Sequence, residues 1–194
     1  HRLAREGRLV RPSAIQTMAG FVDQLAPEPQ LPAEILPLLI RRALDELAPA
    51  AFSAVRDLPG FHRAVAGVWQ EFSASPPAVD TPAEELEELL AGCRYGEEFA
   101  ALYSHVRTQA RGLGYSLRLE RLRRAADRVR RKESPAASQV LIDGFFTFSA
   151  GEVELLDALA SGSRVTATLP QWAGAGRARE MLIDRGFGEQ RPSA

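Results

Sequence analysis

Residues 139–170 read QVLIDGFFTFSAGEVELLDALASGSRVTATLP, and no other stretch limits the fold of this chain so tightly. Val140 to Ile142 is a short apolar run, Ser149-Ala150-Gly151-Glu152 is a capping box, and Val153, Leu155, Leu156 and Leu159 recur at helical spacing. Val165 to Leu169 is a second strand-like run. Strand, helix, strand in that order predicts a βαβ unit, whose strands run parallel because the helix carries the chain back. Asp143-Gly144 leaves a second reading open. An Asp-Gly pair between VLI and FFTF is also the signal of a two-residue hairpin, which would pair those runs antiparallel. The capping box begins directly after Phe148, which favours FFTF as a connecting loop and the βαβ unit as the fold.

The rest of the chain reads as mostly helical. Val10 to Gln16 is an extended segment, followed by Met18, Phe21, Val22 and Leu25 at helical spacing with Thr17 as N-cap. PEPQLP, from Pro27, interrupts regular structure, and a helix is predicted from Pro32 to Leu47 with Ile35, Leu36, Leu39, Ile40, Ala43 and Leu44 inward. A second helix runs from about Pro59 to Phe72 with a stripe of Phe61, Val65, Val68, Trp69 and Phe72. Thr81-Pro82-Ala83-Glu84 is another capping box, opening an acidic helix through Leu90. Gly96 to Arg111 places Phe99, Leu102, Tyr103, Val106 and Ala110 on one face. Leu117 to Arg131 places Leu119, Leu122, Ala126 and Val129 on one side and Arg121, Arg124, Arg128 and Arg131 on another. KESPAA, from Lys132, is a linker, and Gly174 to Arg185 is a closing helix. The expected class is α/β but mostly α: a small parallel sheet built from residues 1–26 and 135–194, interrupted by an all-helical insertion over 27–134.

Composition narrows the chemistry. A formal net charge of -1 over 194 residues leaves no global field toward nucleic acid or acidic lipid, so any polyanion site must be local. The one cysteine, Cys93, excludes an intramolecular disulfide framework and fits a reducing cytoplasm. No run approaches the roughly 20 apolar residues of a membrane span. The start at His1 without Met predicts a piece of a longer protein.

Ligands of open parallel sheets gather at the carboxyl ends of strands, and in nucleotide-hydrolysing folds an Asp placed there steers magnesium. Asp143 holds that position, with Gly144 where such a hydrolase carries Glu. The pattern is a nucleotide-binding architecture without its water-activating group. No GxxxxGK[ST] phosphate loop occurs, so no cofactor is expected in these residues, and ATP with magnesium could enter only through a segment upstream of His1. From Arg107 to Lys132 ten basic residues face Glu120 and Asp127, an excess of eight. Such a face could track a phosphate backbone, or it could be a solvated helix side balanced by Glu84, Glu85, Glu87, Glu88, Glu97 and Glu98. His1, His62 and His105 lack metal-ligand spacing and read as satisfied or exposed. Ser149 and Ser163 lack a GxSxG setting, and Cys93 reads as a buried structural thiol. Trp69 and Trp172 could stack bases, although Trp69 belongs to a core stripe.

TMAGF from Thr17, after an extended VRPSAIQ, resembles the TxxxF segment that follows a strand in superfamily 1 DNA helicases of the UvrD and RecB kind. VLIDGFFTFSAGEVELLDAL followed by VTATLP resembles the vlIDGFtdFtpxexxlLxxL segment of AddB/RexB-type subunits of bacterial helicase-nucleases. More loosely, Gly60 to Phe72 and Leu102 to Val129 resemble the helical insertion of those proteins. The resemblance implies a partial, degenerate RecA-like domain in which Asp143 takes the place of the magnesium-associated Asp and Gly144 replaces the catalytic Glu. It implies a non-catalytic DNA-binding portion of a cytoplasmic DNA-repair and recombination protein, its partners single-stranded DNA and a helicase-nuclease subunit, with no membrane. Thr17, Arg121, Arg124, Arg128 and Arg131 are the candidate DNA contacts. Two other functions stay open: part of an active ATP-dependent helicase whose phosphate loop lies outside these residues, and a helical protein-interaction scaffold.

Overall fold

The structure, a computed structural model, describes residues 14–74, 90, 92–134 and 137–190. Along these residues the chain forms helix α1 (Met18–Leu25), α2 (Leu36–Leu47), α3 (Pro59–Ala74), α4 (Gly96–Gly112), α5 (Arg118–Arg130), strand β1 (Gln139–Ile142), α6 (Ala150–Ala160), strand β2 (Arg164–Ala167) and α7 (Gly176–Asp184). The result is mostly helical with a two-stranded parallel sheet.

β1 and β2 pair in parallel, Val140 opposite Val165 and Ile142 opposite Ala167. This excludes the hairpin at Asp143-Gly144. The helix between the strands starts where the capping box puts it: Ser149 Oγ accepts from the Glu152 N–H while the Glu152 carboxylate accepts from the Ser149 N–H. Leu155 and Leu156 are fully buried beneath the strands, and each contributes about 2 kcal/mol of apolar burial. Among the described residues only one face of the sheet is covered. Val140, Ile142, Val165 and Ala167 face that core, while Leu141 in the middle of the apolar run is 71% exposed.

The same core takes in α1, α5 and α7 through Val22, Leu25, Leu122, Ala126, Ala178 and Leu182. Helix α5 therefore packs with α1 and the βαβ unit more than with the α2 to α4 block. It crosses α6 so closely that a Cβ on Gly151 would come within 2.9 Å of Leu119 Cδ1. A second core joins α2, α3 and α4 through Leu39, Ile40, Leu44, Val65, Trp69, Leu102 and Val106. Trp69 takes Phe99 and Tyr103 edge-on at centroid distances of 5.9 and 5.3 Å.

Several sequence expectations change. Helix α2 begins at Leu36 and not at Pro32, because Pro37 has no N–H to donate to the Ala33 carbonyl, and residues 33–35 remain a turn. The α3 stripe turns by one position: His62, Val65, Ala66 and Trp69 are buried, and Val68 is 38% exposed. Arg121 lies inside, not on the solvent face. The early strand reached only Gln16; residues 10–13 lie outside the described residues, and Ala14 to Gln16 form no strand. The Thr81 capping box and its acidic helix also lie outside the described residues.

Helices α2 and α4 are tied by one carboxylate. Glu46 accepts from Arg42 Nε at 2.7 Å, from His105 Nε2 at 2.7 Å and from Gln109 Nε2 at 2.9 Å. The Arg42 hydrogen bond, then that of His105, holds its carboxyl down to about 2 from the ordinary 4.5. A depressed folded-state value contributes stability above the unfolded value, and this is lost as pH falls through the folded one. The pair is exposed, so the effect is screened by salt. Thermal melts across pH should show a Glu46→Gln variant less stable than the parent at neutral pH, with the gap closing as pH falls from 4.5 toward about 2.

Candidate functional site at the carboxyl ends of the strands

The turn that leaves β1 and the turn that leaves β2 emerge side by side, as they must from adjacent parallel strands. Asp143 follows Ile142, the last residue of β1, and Thr168 follows Ala167, the last of β2. The Thr168 N–H donates to the Ile142 carbonyl at 2.9 Å, which carries the pairing one step past the strands. Its hydroxyl donates to Asp143 Oδ1. A hydroxyl has one proton to give, and a carboxylate is the stronger acceptor, so this bond takes precedence over the 3.3 Å approach to the Ile142 carbonyl. The other Asp143 oxygen has no hydrogen-bond partner among the described residues.

Gly144 stands at φ +82° in open space, with nothing within 4 Å of where a Cβ would be. Conformation, not room, reserves this position for glycine, because an L side chain in the left-handed region costs about 1–2 kcal/mol. Beyond it, Phe145 stacks on the buried Phe148 at 5.2 Å. Phe146 points outward and meets Trp172 at 6.2 Å with the rings at 80°. The sequence places Trp172 as a stacking candidate but gives no hint of its pairing with Phe146, which lies in the other turn.

The Asp143 carboxylate is half engaged by Thr168, and the described residues contain no cluster of three or more His, Cys, Asp or Glu side chains.

The arginine-rich run is resolved into pairs. Arg107 and Arg111 face Glu120, Arg118 faces Glu152, Arg123 and Arg130 face Glu154, and Arg128 and Arg131 share Glu133. Arg124 faces Glu28, and Arg121 binds Asp23 Oδ1 at 2.6 Å and the Ala26 carbonyl at 2.8 Å. Every arginine of the run thus has a carboxylate within ion-pair distance. Among the described residues the counter-charges come from Glu120 and Asp127 of the run itself and from Asp23, Glu28, Glu133, Glu152 and Glu154; of the glutamates expected to balance the run, Glu84, Glu85, Glu87 and Glu88 lie outside the described residues. Arg121 is a strut between α5 and the end of α1, with a side chain 7% exposed. Arg131, at 63%, is the most open of the four candidate contacts. Thr17 is exposed and caps α1, its Oγ1 accepting from the Gly20 N–H at 3.0 Å, which leaves its own proton free to donate.

No protein-family model matches this chain, and no curated protein matches it.

The remaining candidates are structural. His62 is buried with Nε2 on the Arg56 carbonyl, and His105 is held by Glu46. Cys93 is exposed, not buried, and the neighbouring Arg94 guanidinium sits 4.8 Å over the Tyr95 ring. Ser163 Oγ donates to the Ala137 carbonyl.

Two outcomes are expected. Introducing Glu by Gly144→Glu should lower stability by about 1–2 kcal/mol in urea unfolding without conferring ATP hydrolysis, because the new carboxylate arrives on a strained turn. Arg121→Ala should cost about 1–3 kcal/mol by leaving the buried Ala26 carbonyl without its donor, whereas Arg131→Ala should stay within about 0.5 kcal/mol of the parent.

Proposed function

We propose that this chain is a non-catalytic, helicase-like portion of a bacterial DNA-repair protein of the AddB/RexB kind, which holds single-stranded DNA beside a motor or nuclease subunit. The observation that carries the reading is the parallel βαβ unit with Asp143 at the carboxyl end of β1 and a left-handed glycine immediately after it. A partial RecA-like sheet that keeps the acidic position but not the water-activating one is suited to occupying DNA, not to spending nucleotide. Thr17 and the two most open of the four candidate arginines, Arg128 and Arg131, would meet the phosphate backbone. Arg121 and Arg124 would act indirectly, by fixing α5 against α1 and the segment after it.

The pairing of the arginines favours a second reading, a helical protein-interaction scaffold. A run of cations already matched by carboxylates releases few counterions, and counterion release drives most non-specific DNA affinity. Fluorescence anisotropy with a labelled oligothymidylate separates the two readings. Binding at low salt that weakens as salt rises, and that weakens further at every salt in an Arg128→Ala, Arg131→Ala double variant, is the expected result. A strand that stays free at low salt would leave the scaffold reading alone.

A further inference from the structure

We propose that Phe146 and Trp172 form a platform on which a base of single-stranded DNA stacks, an inference that rests on the reading above and gives it a contact point. The two rings belong to different turns, one leaving β1 and the other leaving β2, and those turns are joined twice. At their bases the Thr168 hydroxyl binds the Asp143 carboxylate, and farther out Phe146 meets Trp172 at 80°. The pair is supported from within the protein. Phe145, beside Phe146, stacks on the buried Phe148, and a Cβ on Gly174 would come within 2.8 Å of the Trp172 ring, so that ring rests against the Gly174 backbone. Even so, Phe146 is 53% and Trp172 59% exposed. With the rings nearly at right angles, a flat ligand can lie against one while the other walls its edge.

The surroundings select the occupant. Asp143, Gly144, Thr147, Thr168 and Gln171 are all exposed in the same two turns, so hydrogen-bonding groups flank the pair, with Pro170 as a further exposed apolar residue beside them. A protein partner would need a wider apolar patch at its centre. A nucleobase needs only a π-face, with polar groups at its edges. Arg177, exposed in the first turn of α7 and without a carboxylate partner among the described residues, adds a cation five residues after Trp172 for a backbone phosphate. The position at the carboxyl ends of parallel strands is where α/β sheets receive ligands.

Tryptophan emission tests the platform directly, since Trp69 is 4% exposed and Trp172 is the indole that solvent reaches. The whole chain is titrated with oligothymidylate and, separately, with deoxyadenosine monophosphate, following emission and, for the strand, anisotropy. Quenching by both probes is expected. Trp172→Ala should remove the quenching and weaken strand binding about tenfold, Phe146→Ala should weaken it less, and Trp172→Phe should recover most of the affinity, all with unchanged melting temperatures. Strand binding at parental affinity in Trp172→Ala and Phe146→Ala, with parental emission unquenched, would overturn the platform and leave DNA binding standing elsewhere on the chain. Quenching by the mononucleotide without any strand binding would keep the platform and defeat the DNA reading. Silence with both probes defeats both, and so would concentration-dependent self-association that Trp172→Ala abolishes, which would assign the rings to a protein contact.

Discussion

Arg121 holds the two places where the chain passes between its two cores. Its guanidinium reaches from α5 to Asp23 and to the carbonyl of Ala26, at the end of α1, just as the chain departs for the α2 to α4 block. A few residues on, the outgoing and returning segments lie against each other: Ser116 N–H donates to the Pro29 carbonyl at 3.0 Å and Leu31 N–H to the Ser116 carbonyl at 2.9 Å. Arg124 adds a third tie at Glu28. With this junction fixed, α5 is aligned to lie across α6, α6 to lie beneath the sheet, and the strand ends to present Asp143 and Thr168 together. Burial of a guanidinium is costly unless its donors are met; here a carboxylate and a buried carbonyl meet Nη2, while the buried Nε has no hydrogen-bond partner among the described residues.

What could be read in the sequence was local. The βαβ unit was legible because each of its parts carries its own signal within a few residues: a capping box, a helical stripe, two apolar runs. The Thr17 cap was legible for the same reason. What escaped depended on distance along the chain. Arg121 and Asp23 are 98 residues apart, and helical spacing alone puts that arginine on the same side as Arg124 and Arg128. An apolar run such as VLI fits a strand covered on both faces, whereas among the described residues helices cover one face of this sheet and Leu141 is 71% exposed. The Phe146 and Trp172 contact joins two turns that only the parallel register brings side by side.

Charge in this chain is spent mainly on internal fit. The arginines of α4 and α5 meet carboxylates from α1, the segment after it, α5 itself, α6 and the residues following α5, so that a stretch rich in cations presents little net field. Individually such exposed pairs are worth about 0–1 kcal/mol. Together they fix which helix faces which, since like charges in any other arrangement would be brought together. The strand ends stay outside this pattern, with an acidic group, two hydroxyls and two aromatic rings that the packing does not consume.

The bridge between Gln30 and Ser116 is parallel, which has a bearing on how such a chain could arise. The backbone resumes, one strand-width to the side, the heading it had when it departed. A segment that leaves and rejoins its host in this manner could be lengthened, trimmed or exchanged for another without forcing the host to bend. The α2 to α4 block thus leaves and returns through one doorway, and away from it α3 touches α6 while Arg107 and Arg111 of α4 reach Glu120 of α5.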